Sequence, residues 1–266
     1  QPPLPARLTP VDMPGNLPPG ALGLADDPDR QRIMPVRWAP SDGHLLVAGS
    51  AGSGVTSTLC SLAAHVLATT DHHVYVLDAH GSPEFDTLAT HPRCGAVVRL
   101  HEGERLARLL QRATHPTAAH TVLVIDGLDV ARRTLDDVTT IDDYDAFTAL
   151  LAGDPAGEQH TITIVAGVQH TTAVPAAFLA RCPNRWVLHL HDAHDATTLG
   201  VASAVVPPAL PGRMVIAAGG LTAQLLAPGA VGAGGHDHAE PAPRIDVVPT
   251  VVDRAALAPG WQHAGT

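Results

Sequence analysis

Between residues 45 and 59 the chain reads LLVAGSAGSGVTSTL, and this stretch constrains the fold more than any other. A short apolar strand candidate, His44–Gly49, runs into three glycines, Gly49, Gly52 and Gly54, which open a helix candidate over Val55–Ala68. Glycines at such a turn let the backbone come close to a ligand, and the helix start offers N–H groups to an anion. The chain then alternates in the same sense. Further strand candidates are His73–Asp78, Gly95–Leu100, Thr121–Asp126, Thr161–Gly167 and Arg185–His191, with helix candidates at Gly103–Thr114, Asp142–Leu151 and Pro175–Ala180. Runs such as VLVI and ITIVAG are apolar without a break, as central strands covered on both faces are. The expectation is an α/β fold with a mostly parallel sheet.

Residues 1–43 are rich in proline and turns and end in a short strand candidate, MPVRW; they read as a wrap packed on the domain that follows. The main unit is expected over 44–240, with MVIAAG (214–219) as a late strand and a Gly-Ala stretch at 229–239, carrying His236 and His238, as an exposed loop. Residues 241–266 read as a tail or linker. Its IDVVPTVV echoes the head's PLPARLTPV in style, as one unit of a tandem array would. The first residue is Gln1 rather than Met, so a module of a longer protein is expected.

The glycine loop supports two chemistries. Gly49-x-x-Gly52-x-Gly54, with Asp78 closing the next strand 24 residues past Gly54, fits a dinucleotide site. The same residues fit Gly49-x-x-x-x-Gly54-[Lys]-Thr56, a triphosphate-binding loop, with Val55 in the lysine's place. A turn that binds nothing is the third option. TVLVIDGLD (121–129) bears on the choice: Asp126 ends an apolar strand 70 residues after Thr56, where a triphosphatase places its Mg2+-holding aspartate, on a strand expected beside that of the loop. A dinucleotide enzyme has no need of it.

The longer pattern is more specific. GLADDPDRQRIMPVRWAPSDGHLLVAGSAGSGVTSTL resembles FtsK/SpoIIIE-type ATPases, in particular the tandem modules of EccC-type type VII secretion motors. The match rests on Gly23–Leu24, Asp26–Pro28, Arg30–Gln31 and Pro35 ahead of the loop. YVLDAHG (75–81), TVLVIDGLD, ITIVAGVQ (162–169), RWVLHLHDAHDATTLG (185–200) and LPGRMVIAAGGLTAQLLAP (210–228) are similar to later segments of that family. The resemblance implies a RecA-like P-loop NTPase fold, with helices on both faces of the sheet. It also implies a nucleotide site at Gly49, Gly52, Ser53, Gly54, Val55, Thr56, Ser57 and Asp126, with Thr56 and Asp126 as the Mg2+ residues.

The departures from the family shape the expected function. Val55 removes the cation that reaches the β- and γ-phosphates, and Gly127 stands where active members carry an acid that polarises water. Losing one such contact costs roughly 3 kcal/mol, on the order of 100-fold in rate. With both gone, the expectation is a degenerate module with no catalytic residues. It would hold no cofactor at high occupancy, ATP and Mg2+ only weakly, and fill a structural, regulatory or substrate-docking role. The alternative is an active or weakly active nucleotide-driven DNA translocase domain. Composition opposes that alternative: 26 acidic residues face 16 arginines, and there is no lysine to help grip a phosphate backbone. The partners implied are other ATPase modules of the same parent chain and exported type VII substrates, with no nucleic acid. The place implied is the cytoplasmic side of a membrane-associated secretion complex, reached only through a larger parent protein. The head DDPDRQ and the tail echo suit a middle module.

Other clusters read as structural. His189, His191 and His194 with Asp192 and Asp195 have metal-like spacing if His189 and His191 share a strand face, but ordinary positions are favoured. Arg30, Arg32, Arg132, Arg133 and Arg213 are expected to find carboxylates within the chain or lie on the surface, ahead of any role toward a neighbour's nucleotide. Three widely spaced cysteines, Cys60, Cys94 and Cys182, fit no disulfide framework.

Overall fold

The computed structural model describes residues 3–15, 20–114, 120–138, 141–153, 162–202, 205, 207–229 and 240–246. Its frame is a sheet of ten strands: β1 Gly23–Asp27, β2 Arg32–Val36, β3 Leu45–Ala48, β4 His73–Asp78, β5 Cys94–Arg99, β6 Thr121–Asp126, β7 Ile162–Val168, β8 Asn184–Leu188, β9 Arg213–Ile216 and β10 Leu221–Leu225. The strand order is β2-β1-β10-β9-β8-β3-β7-β6-β4-β5. From β8 to β5 every pairing is parallel; from β8 outward through β9, β10, β1 and β2 every pairing is antiparallel.

Helices cover both faces of the parallel half. On one face lies α1, Val55–Thr69, and on the other are α2 Gly103–Thr114, α3 Leu128–Val138, α4 Ile141–Ala152, α5 Ala176–Arg181 and α6 Ala193–Thr198. Alternate residues of one strand serve opposite cores: Leu45 and Val47 pack under α1, while Leu46 and Ala48 face the other layer. All four are fully buried, and each large aliphatic side chain so buried contributes roughly 1.5–3 kcal/mol. This is the RecA-like P-loop arrangement expected from the sequence. α1 ends under a buried cation, since the Arg93 guanidinium donates to the carbonyls of Leu67, Thr70 and His72.

Several elements differ from the sequence reading. The head contributes two strands rather than one, and Pro35 is tolerated because β2 is the outermost strand. Leu8 is fully buried and bridges Leu226, which anchors the head further. β10, α3 and α6 have no counterpart among the elements expected from the sequence. β8 ends at Leu188, so His189 and His191 lie beyond the strand rather than on its face. Most consequentially, β6 does not lie beside β3; β7 runs between them. At the opposite edge, residues 240–246 lie along β5, with Ile245 N–H donating to Gly95 O at 3.2 Å and Tyr75 Oη to Pro243 O at 2.8 Å. The 230–239 part of the loop, with His236 and His238, and the tail from 247 onward fall outside the described residues.

Candidate functional site

The loop between β3 and α1 is held from three sides. Gly49 N–H donates to Val168 O at 3.0 Å, Ser50 N–H to His189 O at 2.8 Å, and Gly212 N–H to Ser53 O at 3.1 Å. Gly52 and Gly54 adopt φ of +79° and +101°, a region that favours glycine. At Gly49 the requirement is space, because a Cβ there would meet Leu188 Cβ at 2.9 Å and collide with Ser53 Oγ. Ser53 Oγ is buried without a hydrogen-bond partner among the described residues.

Helix α1 starts bare. Its N-cap is Gly54, which has no side chain to cap it, and Thr58 N–H to Gly54 O at 2.9 Å is the first i to i−4 bond. The N–H groups of Val55, Thr56 and Ser57 therefore have no carbonyl within the helix, and the helix dipole adds positive potential at that point. They border a cavity of about 330 Å³ that also takes in His80, Glu84, Asp126, Gly127 and Gln169.

Thr56 and Asp126 meet across β7. Thr56 Oγ1 donates to Asp126 Oδ2 at 2.9 Å, although β6 is two strands away from β3. Gly167 makes the crossing possible: it sits in register with Val47 on one side and Asp126 on the other. A Cβ on Gly167 would lie 2.7 Å from both Val55 Cγ1 and Leu59 Cδ1, so only glycine lets α1 ride this low over β7. Asp126 is 1% exposed, and its Oδ1 has no hydrogen-bond partner among the described residues. Burial pushes its pKa up to about 6, against the Thr56 bond and the His80 ring, which pull it down; Asp78 and Glu84 add to the rise.

Seven of the eight residues expected at a nucleotide site line this one cavity; Ser53 lies in the same loop but not on the cavity wall. The structure gives some of them other work. Val55 wedges its methyls between Gly49 and Gly167 and packs against the core under α1. Ser57 Oγ donates to Glu84 Oε1 at 3.1 Å. His80, Glu84 and Gly167 are not among the site residues expected from the sequence; His80 and Gly167 stand inside the segments YVLDAHG and ITIVAGVQ, and no local motif marks Glu84.

For a polyphosphate with Mg2+, the fit is partial. The unpaired N–H groups suit phosphate oxygens, and the unpartnered Asp126 Oδ1 beside the Thr56 hydroxyl suits a hard cation. A fixed cation for the phosphates is what the residues do not provide. Among the described residues no arginine lines the cavity, and Arg99, at the end of β5, is engaged elsewhere: its Nε faces Asp78 Oδ2 at 3.6 Å and its Nη2 pairs with Asp86 at 2.6 Å.

A second cavity, of about 350 Å³, opens on the other side of the α1 start and shares Gly54, Ser57 and Pro211 with the first. Leu8, Leu22, Trp186 and Leu225 make it largely apolar. Its wall from the head is fastened by Arg213, whose guanidinium donates to the carbonyls of Leu4 and Pro5 at 3.2 and 2.8 Å and to Gln224 Oε1 at 2.9 Å.

Several other residues singled out in the sequence have local partners. Arg30 and Arg32 pair with Asp27, and Arg132 donates to Ala173 O. Asp192 caps α6 through His194 N–H at 2.8 Å, Asp195 accepts from Thr171, and His189 bonds Pro207 O at 3.0 Å. Among the described residues, no group of three or more His, Cys, Asp or Glu is arranged to hold a metal, and no helix is long and apolar enough to cross a membrane. All three cysteines are free.

No family profile matches the sequence, and no curated protein is significantly similar to it. Solved structures do match. EssC (ATPases 2 and 3) from Geobacillus thermodenitrificans aligns at TM-score 0.68 and 20% identity over 90% of this chain and 50% of its own. Thermomonospora curvata EccC (ATPases 2 and 3), solved in complex with a signal sequence peptide, aligns at 0.68 and 21% over 97% of this chain and 55% of its own. The pCW3 conjugation coupling protein TcpA, solved with ATPgS, aligns at 0.57 and 16% over 84% and 70%. The chain spans about half the length of the EssC and EccC structures. These likenesses establish its fold as that of the EccC and EssC ATPase modules.

Proposed function

We propose that the chain is one ATPase-type module of a type VII secretion motor, a degenerate copy that does not turn over nucleotide. It binds ATP and Mg2+ weakly at most and serves as a structural, regulatory or substrate-docking unit beside active modules. The observation that carries this reading is Val55: the residue in the lysine position is an aliphatic wedge between Gly49 and Gly167, in a chain without lysine. Gly127 adds the second loss, because nothing at that position can orient water.

When bound, Mg2+ would neutralise phosphate charge from Thr56 and Asp126, and the α1 N–H groups would cradle the phosphates. The apolar cavity walled by Leu8, Trp186 and Leu225 suits the base of the same nucleotide. Partners under this reading are the other modules of the parent chain and exported proteins, on the cytoplasmic side of a membrane complex. Nucleic acid is not among them, since a net charge of −10 repels a phosphate backbone.

The intact Thr56–Asp126 pair favours a second reading, a weakly active translocase domain. Phosphate release with Mg2+ and ATP separates the two. Background rates are expected; turnover of about 1 per second or more, within the usual enzyme range, supports the second reading instead.

A further inference from the structure

Gly127 is more than a missing acid. A Cβ placed on it would lie 2.7 Å from His80 Nε2 and 3.1 Å from the ring's Cδ2 and Cε1. The residue also holds φ at +80°, so a side chain there would be strained as well as crowded. The imidazole occupies the space in which a side chain at 127 would begin.

The His80 backbone is tied in place. Asp78 Oδ1 accepts from the N–H groups of His80 and Gly81 at 3.1 and 2.8 Å, and Ala79 N–H donates to Asp126 O at 2.9 Å. The ring is exposed, lines the 330 Å³ cavity and, among the described residues, has no hydrogen-bond partner. Two carboxylates line the same cavity as the ring, Asp126 at the end of β6 and Glu84 from the segment Pro83–Thr90. The strand order β3-β7-β6-β4 sets His80 across the cavity from the loop that follows β3.

We propose that His80 is the group through which this pocket contacts the terminal phosphate of a bound nucleoside triphosphate, standing in the place of a side chain at position 127. The inference rests on the reading of the cavity as a nucleotide site. A ring N–H donates to a phosphoryl oxygen, which makes the contact directional. Because it lies opposite the loop, it distinguishes a triphosphate from a diphosphate. Restoring an acid at 127 alone then fails, since the two side chains compete for one space.

Two experiments test this on the full chain. Phosphorus NMR titrations with Mg2+ and either ATP or ADP compare the wild type with His80→Ala and His80→Gln. The expected result is about tenfold weaker ATP binding in H80A, little change for ADP, and substantial recovery in H80Q, whose amide also donates. Equal losses for both nucleotides, or none, overturn the inference and leave the nucleotide site standing. If the wild type binds neither at about 10 mM, the nucleotide reading fails and the ligand role of His80 fails with it. The second experiment needs no nucleotide: Gly127→Ala is melted with and without His80→Ala. The drop in Tm is expected to shrink by about half or more in the double variant, because the clash is gone and only the backbone strain remains. Strictly additive drops show that the two positions do not compete for space, and overturn it.

Discussion

On the proposed reading, the two ends of the nucleotide cavity depart from an active ATPase in different ways. At the loop end, from Gly49 to Ser57, one side chain has changed on a backbone that keeps its turn, its bare helix start and its Thr56–Asp126 bond. At the strand end, Gly127 and His80 follow different strands, β6 and β4, and meet ring against bare backbone. The first rests on a single side chain, packed between Gly49 and Gly167; the second involves two positions in contact with each other. A departure of the first kind is expected to yield to one substitution, and one of the second kind is not.

The strongest way to break that contrast is Gly127→Glu. Left-handed strain and the His80 clash together are expected to cost about 3 kcal/mol or more, a drop in Tm of roughly 6–12 °C for a chain of this size, with no gain in turnover. Thermal unfolding and a phosphate-release assay read both; a stable variant that hydrolyses ATP would show the strand end to be as simple as the loop end.

Val55→Lys tests the loop end. A cation there is worth about 2–4 kcal/mol, so calorimetry should find ATP binding tightened from roughly millimolar to about 10 µM, still without turnover. No change would mean that the loop, too, has been reshaped around its substitution.

Asp126 lies between the two ends and carries a buried charge at neutral pH. Its folded pKa, about 6, is above the ordinary carboxylate value, so ionisation costs stability as pH rises from about 4 through 6. Without divalent ions, Asp126→Asn should therefore melt higher at pH 7, by an amount worth about 1–3 kcal/mol, and the gain should fade toward pH 4. A gain that is equal at both pH values would place its origin elsewhere.

Ser57→Ala is the smallest expected effect. The Ser57–Glu84 hydrogen bond is solvent-accessible, so about 0.5 kcal/mol or less should be lost. Weak ATP binding, followed by NMR, should be nearly unchanged, because the N–H of residue 57 remains in place.

Much of the frame was legible from local pattern. β4 and β6 fall at the bounds read from HVYVLD and TVLVID, because unbroken apolar and β-branched runs form buried strands wherever they are placed. α2 also matches its reading, from the periodicity of its leucines. Weaker signals failed. β10, LTAQL, has too little apolar contrast, and α3 starts just after Gly127, where LDVARRT read as the end of a motif rather than a helix. The head's second strand was obscured by its prolines.

The sequence by itself determined the site's contiguous part, Gly49 through Ser57, because turn, glycines and helix start are fixed within a few residues by backbone sterics. It also determined that Asp126 ends a buried strand. Tertiary structure alone decided that β7 runs between β3 and β6, that Gly167 lets Thr56 reach Asp126, and that His80 rests on Gly127. Those contacts are set by strand order and register, which bring together residues dozens of positions apart, and no local propensity encodes which strands become neighbours.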